Sequence, residues 1–132
     1  MRAITQIKIH CADTPDGVYF DRSDIYQWHV NENGWKDIGY HYVVLLDGTV
    51  EKGRPITQNP AGVQGHNTGS IDICYIGGMN NIDTRTPEQK ESIKSLLSFL
   101  RLTFGEKLPV YGHRDFTDKK YCPSYDAKKE HN

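Results

Sequence analysis

The sequence predicts a single α/β domain, with a central mixed β-sheet flanked by helices. Three observations carry that prediction. Short β-branched stretches alternate with two segments of helical periodicity. No linker, internal repeat or low-complexity tract divides the chain. Its 132 residues give room for one hydrophobic core and no second, so the domain is expected to span 1–132.

Ile4, Ile7 and Ile9 place a strand over residues 2–9, ending at His10. The turn-rich CADTPDGVYFDRS follows, and Asp21 or Ser23 caps a helix running to about Asn33. Gly34 then supplies a left-handed stop, with Ile25, Trp28 and His29 turned inward. Tyr40 to Leu46 is β-branched and aromatic, and Asp47-Gly48 signals a hairpin into Thr49-Val50-Glu51. Residues 53–69 read as a long surface loop of the kind that is often functional. Ile71 to Ile76 reads as a buried strand closed by Gly77-Gly78. Thr86-Pro87-Glu88-Gln89 combines a capping residue, a proline at the first helical position and a glutamine at the third. Ile93, Leu96, Leu97, Leu100 and Phe104 mark the core face of that second helix, and Gly105 stops it. Leu108 to Tyr111 forms a last strand that delivers His113 at its carboxyl end, and His131 lies in a tail.

The composition restricts function. With 36% hydrophobic and 25% charged residues, the chain is globular rather than disordered or membrane-embedded. Sixteen basic and seventeen acidic residues leave a charge of −1, so no general field attracts nucleic acid or anionic lipid. The first ten residues, MRAITQIKIH, lack the apolar run of a secretory leader, and the longest apolar stretch is Val43 to Leu46. The expectation is a chain cytoplasmic as synthesised. Three cysteines cannot all pair within one chain, but beside six histidines they leave a metal site open.

His10 and His113 each follow an expected strand, and in open α/β sheets sites form at the carboxyl ends of strands. Cys122 lies nine residues beyond His113, close enough to fold back beside it. Two imidazoles and a thiolate suit zinc with a fourth position left for water. Spacing alone does not pair ligands so far apart in sequence.

The motifs add a resemblance. IHCADT at 9–14, WH at 28–29, GWKDIGYHYVV at 34–44 and LDGTVEKGRP at 46–55 occur in order, followed by GHNTGSIDICYIGG at 65–78, DTRTPEQ at 83–89, GHRDF at 112–116 and CPSYD at 122–126. Together they resemble the zinc-dependent N-acetylmuramoyl-L-alanine amidases, the superfamily that includes phage amidase-type lysozymes and peptidoglycan-recognition proteins, with the phage branch nearest. The resemblance implies a peptidoglycan-recognition-protein-like fold, and His10, His113 and Cys122 as ligands of one Zn2+ ion. It implies catalytic assistance from Tyr40 and from Lys120, two residues before the ligand cysteine. A phenol can hydrogen-bond the carbonyl oxygen, and an ammonium can stabilise an oxyanion.

The departures are specific. The His113-to-Cys122 interval is one residue longer than in the phage enzymes, which makes Lys119 the alternative to Lys120. Cys74 stands where other superfamily members carry a glutamate, Gly62 where many have a histidine, and Asp72 where a glycine is usual. Cys11 and Cys74 read as core thiols, and His29 and His41 as structural or supporting groups. For His66 and Asn67, substrate contact and a loop-stabilising hydrogen bond stand equally open, and Trp35 is a candidate groove wall. Asp115 either supports a ligand or fixes its turn.

The expected activity is therefore hydrolysis of the amide between N-acetylmuramic acid and L-alanine, acting on the cell wall after release. The expected partners are peptidoglycan and muropeptides, with no nucleic acid, no membrane and no second copy of the chain. The alternative is a non-catalytic peptidoglycan-recognition module, followed by a zinc peptidase and a zinc-bearing scaffold. Retention of Cys122 favours the enzyme.

Overall fold

A computed structural model describes residues 2–132. Five strands form one mixed sheet: β1 (Gln6–Cys11), β2 (Tyr42–Val44), β3 (Val50–Lys52), β4 (Ser70–Tyr75) and β5 (Val110–Gly112). Their spatial order is β3-β2-β4-β1-β5, with parallel pairing throughout except at the β2–β3 hairpin. Parallel strands need covering on both faces. The helices α1 (Arg22–Tyr26), α2 (Pro87–Phe104) and α3 (Ala127–His131) contribute to that cover.

Side-chain alternation divides the core in two. Ile7, Ile9, Cys11, Ile71, Ile73 and Tyr75 pack with Ile93, Leu97 and Leu100 of α2. On the other face Val43, Cys74 and Ile76 pack with Ile25 of α1 and Ile38. Lys8, His10 and Asp72 alternate onto this second face, at the heart of the domain, and are fully buried.

Several expectations shift. The first strand is Gln6–Cys11 rather than 2–9, because its ladder with β4 continues to the Cys11–Tyr75 pair. His10 thus lies inside a strand, held more firmly than a residue following one. The first helix is capped by Asp21, whose side chain accepts from the Ser23 and Asp24 amides. From Gln27 to Glu32 it widens into a π-helix, with the Asn33 amide reaching back five residues to the Trp28 carbonyl. Strand 40–46 contracts to β2, since Tyr40 and His41 offer their carbonyls to Arg54 and Gly53 outside the regular ladder. The strand expected at 71–76 is Ser70–Tyr75, and that at 108–111 is Val110–Gly112.

The second helix is as expected, with Thr86 and Gln89 forming a reciprocal capping box. The tail is not: Asp126 caps α3, and His131 accepts or donates a 2.7 Å hydrogen bond to the Tyr125 hydroxyl. No helix among the described residues is long and apolar enough to cross a membrane.

Candidate active site

Parallel pairing of β1 with β5 brings the first and last strands side by side, so residues far apart in sequence share one edge of the sheet. His10 projects from β1. His113 opens a tight helical turn just after β5, fixed by the Asp115 carboxylate accepting from the Gly112 amide at 2.7 Å. That contact decides between the two readings of Asp115 in favour of the turn. Cys122 returns on a loop anchored at four points. Its carbonyl accepts from the Arg114 amide, Tyr75 donates to the Pro123 carbonyl, Ser124 donates to the Gly78 carbonyl, and the Cys11 amide donates to Cys122 Sγ at 3.0 Å.

His10, His113 and Cys122 each offer one donor atom, and these atoms lie within 4.8 Å of one another. The two Nδ1 atoms are 3.3 Å apart. Donors bound to a tetrahedral zinc at ~2.0–2.1 Å are separated by roughly 3.3 Å, so the spacing fits that ion. The two nitrogens and one thiol also match its chemistry. Burial and the neighbouring His10 and Lys120 lower the His113 pKa to about 4, which keeps the imidazole neutral and able to ligate at neutral pH. In the metal-free chain, burial and Cys11 push the Cys122 thiol well above its ordinary range. A divalent cation opposes that shift by favouring the thiolate.

A cavity of about 400 Å³ opens beside His113 and Cys122, lined also by Asp13, Tyr40 and Lys120, with His10 buried behind them. The Tyr40 ring comes from just before β2, across the sheet face, to within 4.9 Å of the His10 ring. Burial, reinforced by Cys74 and Cys122, holds its phenol well above the ordinary pKa, so it remains a hydrogen-bond donor rather than a base. Lys119 and Lys120 both line this cavity and a second one, of about 330 Å³, walled also by His66, His113 and Phe116. Both lysines of the ambiguous register thus border the same two cavities. Asp13, held at a positive φ of 59°, also lines the metal-side cavity, and no sequence signal singled it out.

The other candidates separate. His66 lies outside the metal trio, stacked on Phe116 with ring centroids 4.6 Å apart. Asn67 is turned into the loop, where its side chain accepts from the Gly62 and Val63 amides. Trp35 stacks on His29 and lines a different hollow with Lys36, Asp37 and Arg54. His29 accepts from the Gly39 amide, and His41 accepts from the Asp72 amide while its other nitrogen meets the Gln58 carbonyl, so both histidines are structural. Burial lowers each of their pKa values to about 4. Cys11 and Cys74 are buried thiols, as expected.

Sequence reasoning missed the role of Asp72. Its Oδ2 accepts from His10 Nε2 at 2.7 Å, its Oδ1 lies 3.3 Å from Lys8 Nζ, and the Ser70 hydroxyl donates to Oδ1 at 2.5 Å. Burial opposes ionisation of this carboxyl, but His10, Lys8 and Ser70 outweigh it and hold the pKa below the usual range. Gly62 sits directly over the pair, where an added Cβ would collide with Asp72 Oδ2 and crowd His10 Nε2. The departures at 62 and 72 are thus one arrangement: the carboxylate occupies the space that a side chain at 62 would need. The signal available in sequence was a lysine and an aspartate, each alone within an apolar strand.

Comparison with known proteins supplies an independent measure. Residues 1–125 match the family described as N-acetylmuramoyl-L-alanine amidase. The endolysin of Klebsiella phage KP32 is 36% identical over 129 residues, covering 95% of this chain and 83% of that protein. The fold is similar to that of the N-acetylmuramoyl-L-alanine amidase LysC from Clostridium intestinale, with a TM-score of 0.82, 25% identity, and coverage of 98% and 82% of the two chains. It is similar too to the ectodomain complex of peptidoglycan recognition proteins LCa and LCx bound to tracheal cytotoxin, with a TM-score of 0.82, 27% identity and coverage of 98% and 81%.

Proposed function

The chain belongs to the N-acetylmuramoyl-L-alanine amidase family and is a peptidoglycan amidase by that membership, and on this premise we propose that it uses one zinc ion held by His10, His113 and Cys122. The single observation that supports the metal is the convergence of three neutral or thiol donors, from two strand ends and a pinned loop, at zinc-compatible spacing. Zinc bound there supplies Lewis acidity, lowering the pKa of a coordinated water and polarising the scissile carbonyl.

The protein side chains account for the rest. Tyr40, kept protonated by its surroundings, donates to the oxyanion that develops on the lactyl carbonyl. Lys120, with Lys119 adjacent, adds positive charge at the mouth of the same cavity. The carbonyl carbon gains the water oxygen, its bond to the alanine nitrogen breaks, and the proton given up by water passes to the departing amine. Cys74 is uncharged and buried, so the position where other superfamily members carry a glutamate supplies no carboxylate base here. The substrate lies across the two cavities that share His113, with His66 and Phe116 as walls for the stem peptide. Trp35 lines a separate hollow that shares no residue with either cavity. Asn67 acts through the shape of the 61–67 loop rather than by touching substrate. The family's kinship with the tracheal-cytotoxin-bound recognition proteins supports muropeptides as the ligand class.

Digestion of purified peptidoglycan by wild type and Cys122→Ala tests this reading. New L-alanine amino termini from wild type alone, identified by mass spectrometry, are expected. Binding without cleavage by zinc-loaded wild type overturns it in favour of a recognition module. Unchanged zinc stoichiometry in Cys122→Ala overturns the ligand assignment.

A further inference from the structure

We infer that Asp72, neutralised by Lys8, is a positioning residue that orients His10 as a metal ligand. The inference rests on the zinc reading above and extends it to two residues that reading does not use.

The argument begins with what the ring of His10 can do. An imidazole ligates through a nitrogen that carries no proton, and the partner of its other nitrogen decides which one that is. Asp72 Oδ2 is an acceptor only, 2.7 Å from Nε2, so Nε2 carries the hydrogen. Nδ1 is left with its lone pair directed at His113 and Cys122. The ring cannot turn over without breaking a charge-assisted hydrogen bond in a fully buried setting.

A buried carboxylate needs its own counter-charge. Parallel register sets Lys8 opposite Asp72 and His10 opposite Cys74, so the ammonium and the imidazole flank the same carboxyl group from one strand. Lys8 Nζ also donates to the His66 carbonyl at 2.5 Å, and lies over the Phe116 ring. The loop 61–67 thereby seals the pair from above, with Gly62 as its point of contact. A strand lysine, a strand aspartate and a loop glycine form one device for holding a ligand. The negative charge also raises the donor strength of the imidazole toward a cation.

Two measurements test it. In wild-type protein labelled with 15N-histidine and free of metal, long-range 1H–15N correlation is expected to report His10 with the hydrogen on Nε2; a hydrogen on Nδ1 overturns the proposal. Zinc affinity is then measured by chelator competition in Lys8→Met and in Lys8→Met/Asp72→Ala, the first change removing the ammonium that the second would strand. The second change is expected to weaken zinc binding roughly 10–100-fold and to alter the absorption of the Co2+-substituted protein. Affinity within twofold of Lys8→Met, with an unchanged Co2+ spectrum, overturns the proposal. If that pair does not fold, Lys8→Met/Asp72→Asn replaces it, retaining an acceptor without the charge. A loss of several-fold is then expected, and no loss overturns the role given to the charge. Wild type that binds no zinc overturns the metal reading itself, whereas wild type that binds it beside an equally competent Asp72 variant overturns this inference alone.

Discussion

Replacing Lys8 with methionine breaks the buried ion pair, because methionine matches the length of the stem and removes the ammonium together with its hydrogen bond to the His66 carbonyl. Lys8 Nζ and Asp72 Oδ1 are 3.3 Å apart with both side chains 0% exposed. At an effective dielectric constant of about 20, their attraction is roughly 5 kcal/mol. Asp72 keeps His10 and Ser70 after the change, so part of its stabilisation remains. The expected loss is about 3–4 kcal/mol, in the range for stripping one partner from a buried pair. For a domain of this size, that corresponds to a fall of roughly 10–20 °C in Tm. Urea unfolding of the zinc-free protein, with an unchanged m-value, measures it directly. Adding Asp72→Asn to Lys8→Met should recover at least half of the loss, since the amide no longer carries an uncompensated charge. A single variant within 1 kcal/mol of wild type, or a double variant no more stable than the single, refutes the reasoning.

Gly62→Ala should destabilise the protein by about 1–3 kcal/mol through overpacking onto Asp72 and His10. Adding Asp72→Gly in the Lys8→Met background should remove most of that effect, as read by thermal denaturation. Tyr40→Phe should lower kcat by roughly 10²–10³-fold with zinc content unchanged, measured on a soluble muropeptide. Arg85 donates to both Asp83 and Glu130 and lies over the Tyr125 ring. Against the opposing effect of burial, Arg85 holds the Asp83 carboxyl below its ordinary range, and its hydrogen bonds do the same for Glu130. Their contribution is therefore complete above the unfolded carboxylate pKa and is lost as pH falls through the lowered folded values. Arg85→Met should flatten the fall of the urea midpoint below pH ~4.5, and an unchanged acid profile would count against the cluster.

The legible parts of this molecule were those written locally. The capping box at Thr86, the 3.6-residue face of α2 and the Asp47-Gly48 hairpin each lie within a few residues of their partners. The grouping of His10, His113 and Cys122 was legible because strand ends point to sites and the motifs agree. The π-helix was hidden because its five-residue return depends on how Trp28 and His29 pack, not on propensity. The short α3 was hidden because Arg101 and Val110, from elsewhere in the chain, hold its C-cap residue Asn132. Asp72 was the hardest to read. Its partners are 62 and 64 positions away, and only the parallel register of β1 on β4 brings them within reach.

That adjacency of the first and last strands has a consequence in time. His10 is made 112 residues before Cys122, and β1 cannot complete its pairing until β5 exists. At ~5–20 residues per second, Cys122 follows His10 from the ribosome by roughly 6–20 s. Throughout that interval the growing chain cannot gather His10, His113 and Cys122, and a chain broken off before residue 122 never can. The three side chains of the proposed centre therefore meet only once β5 and the loop behind it have been made, so that on the zinc reading folding and metal capture become a single event.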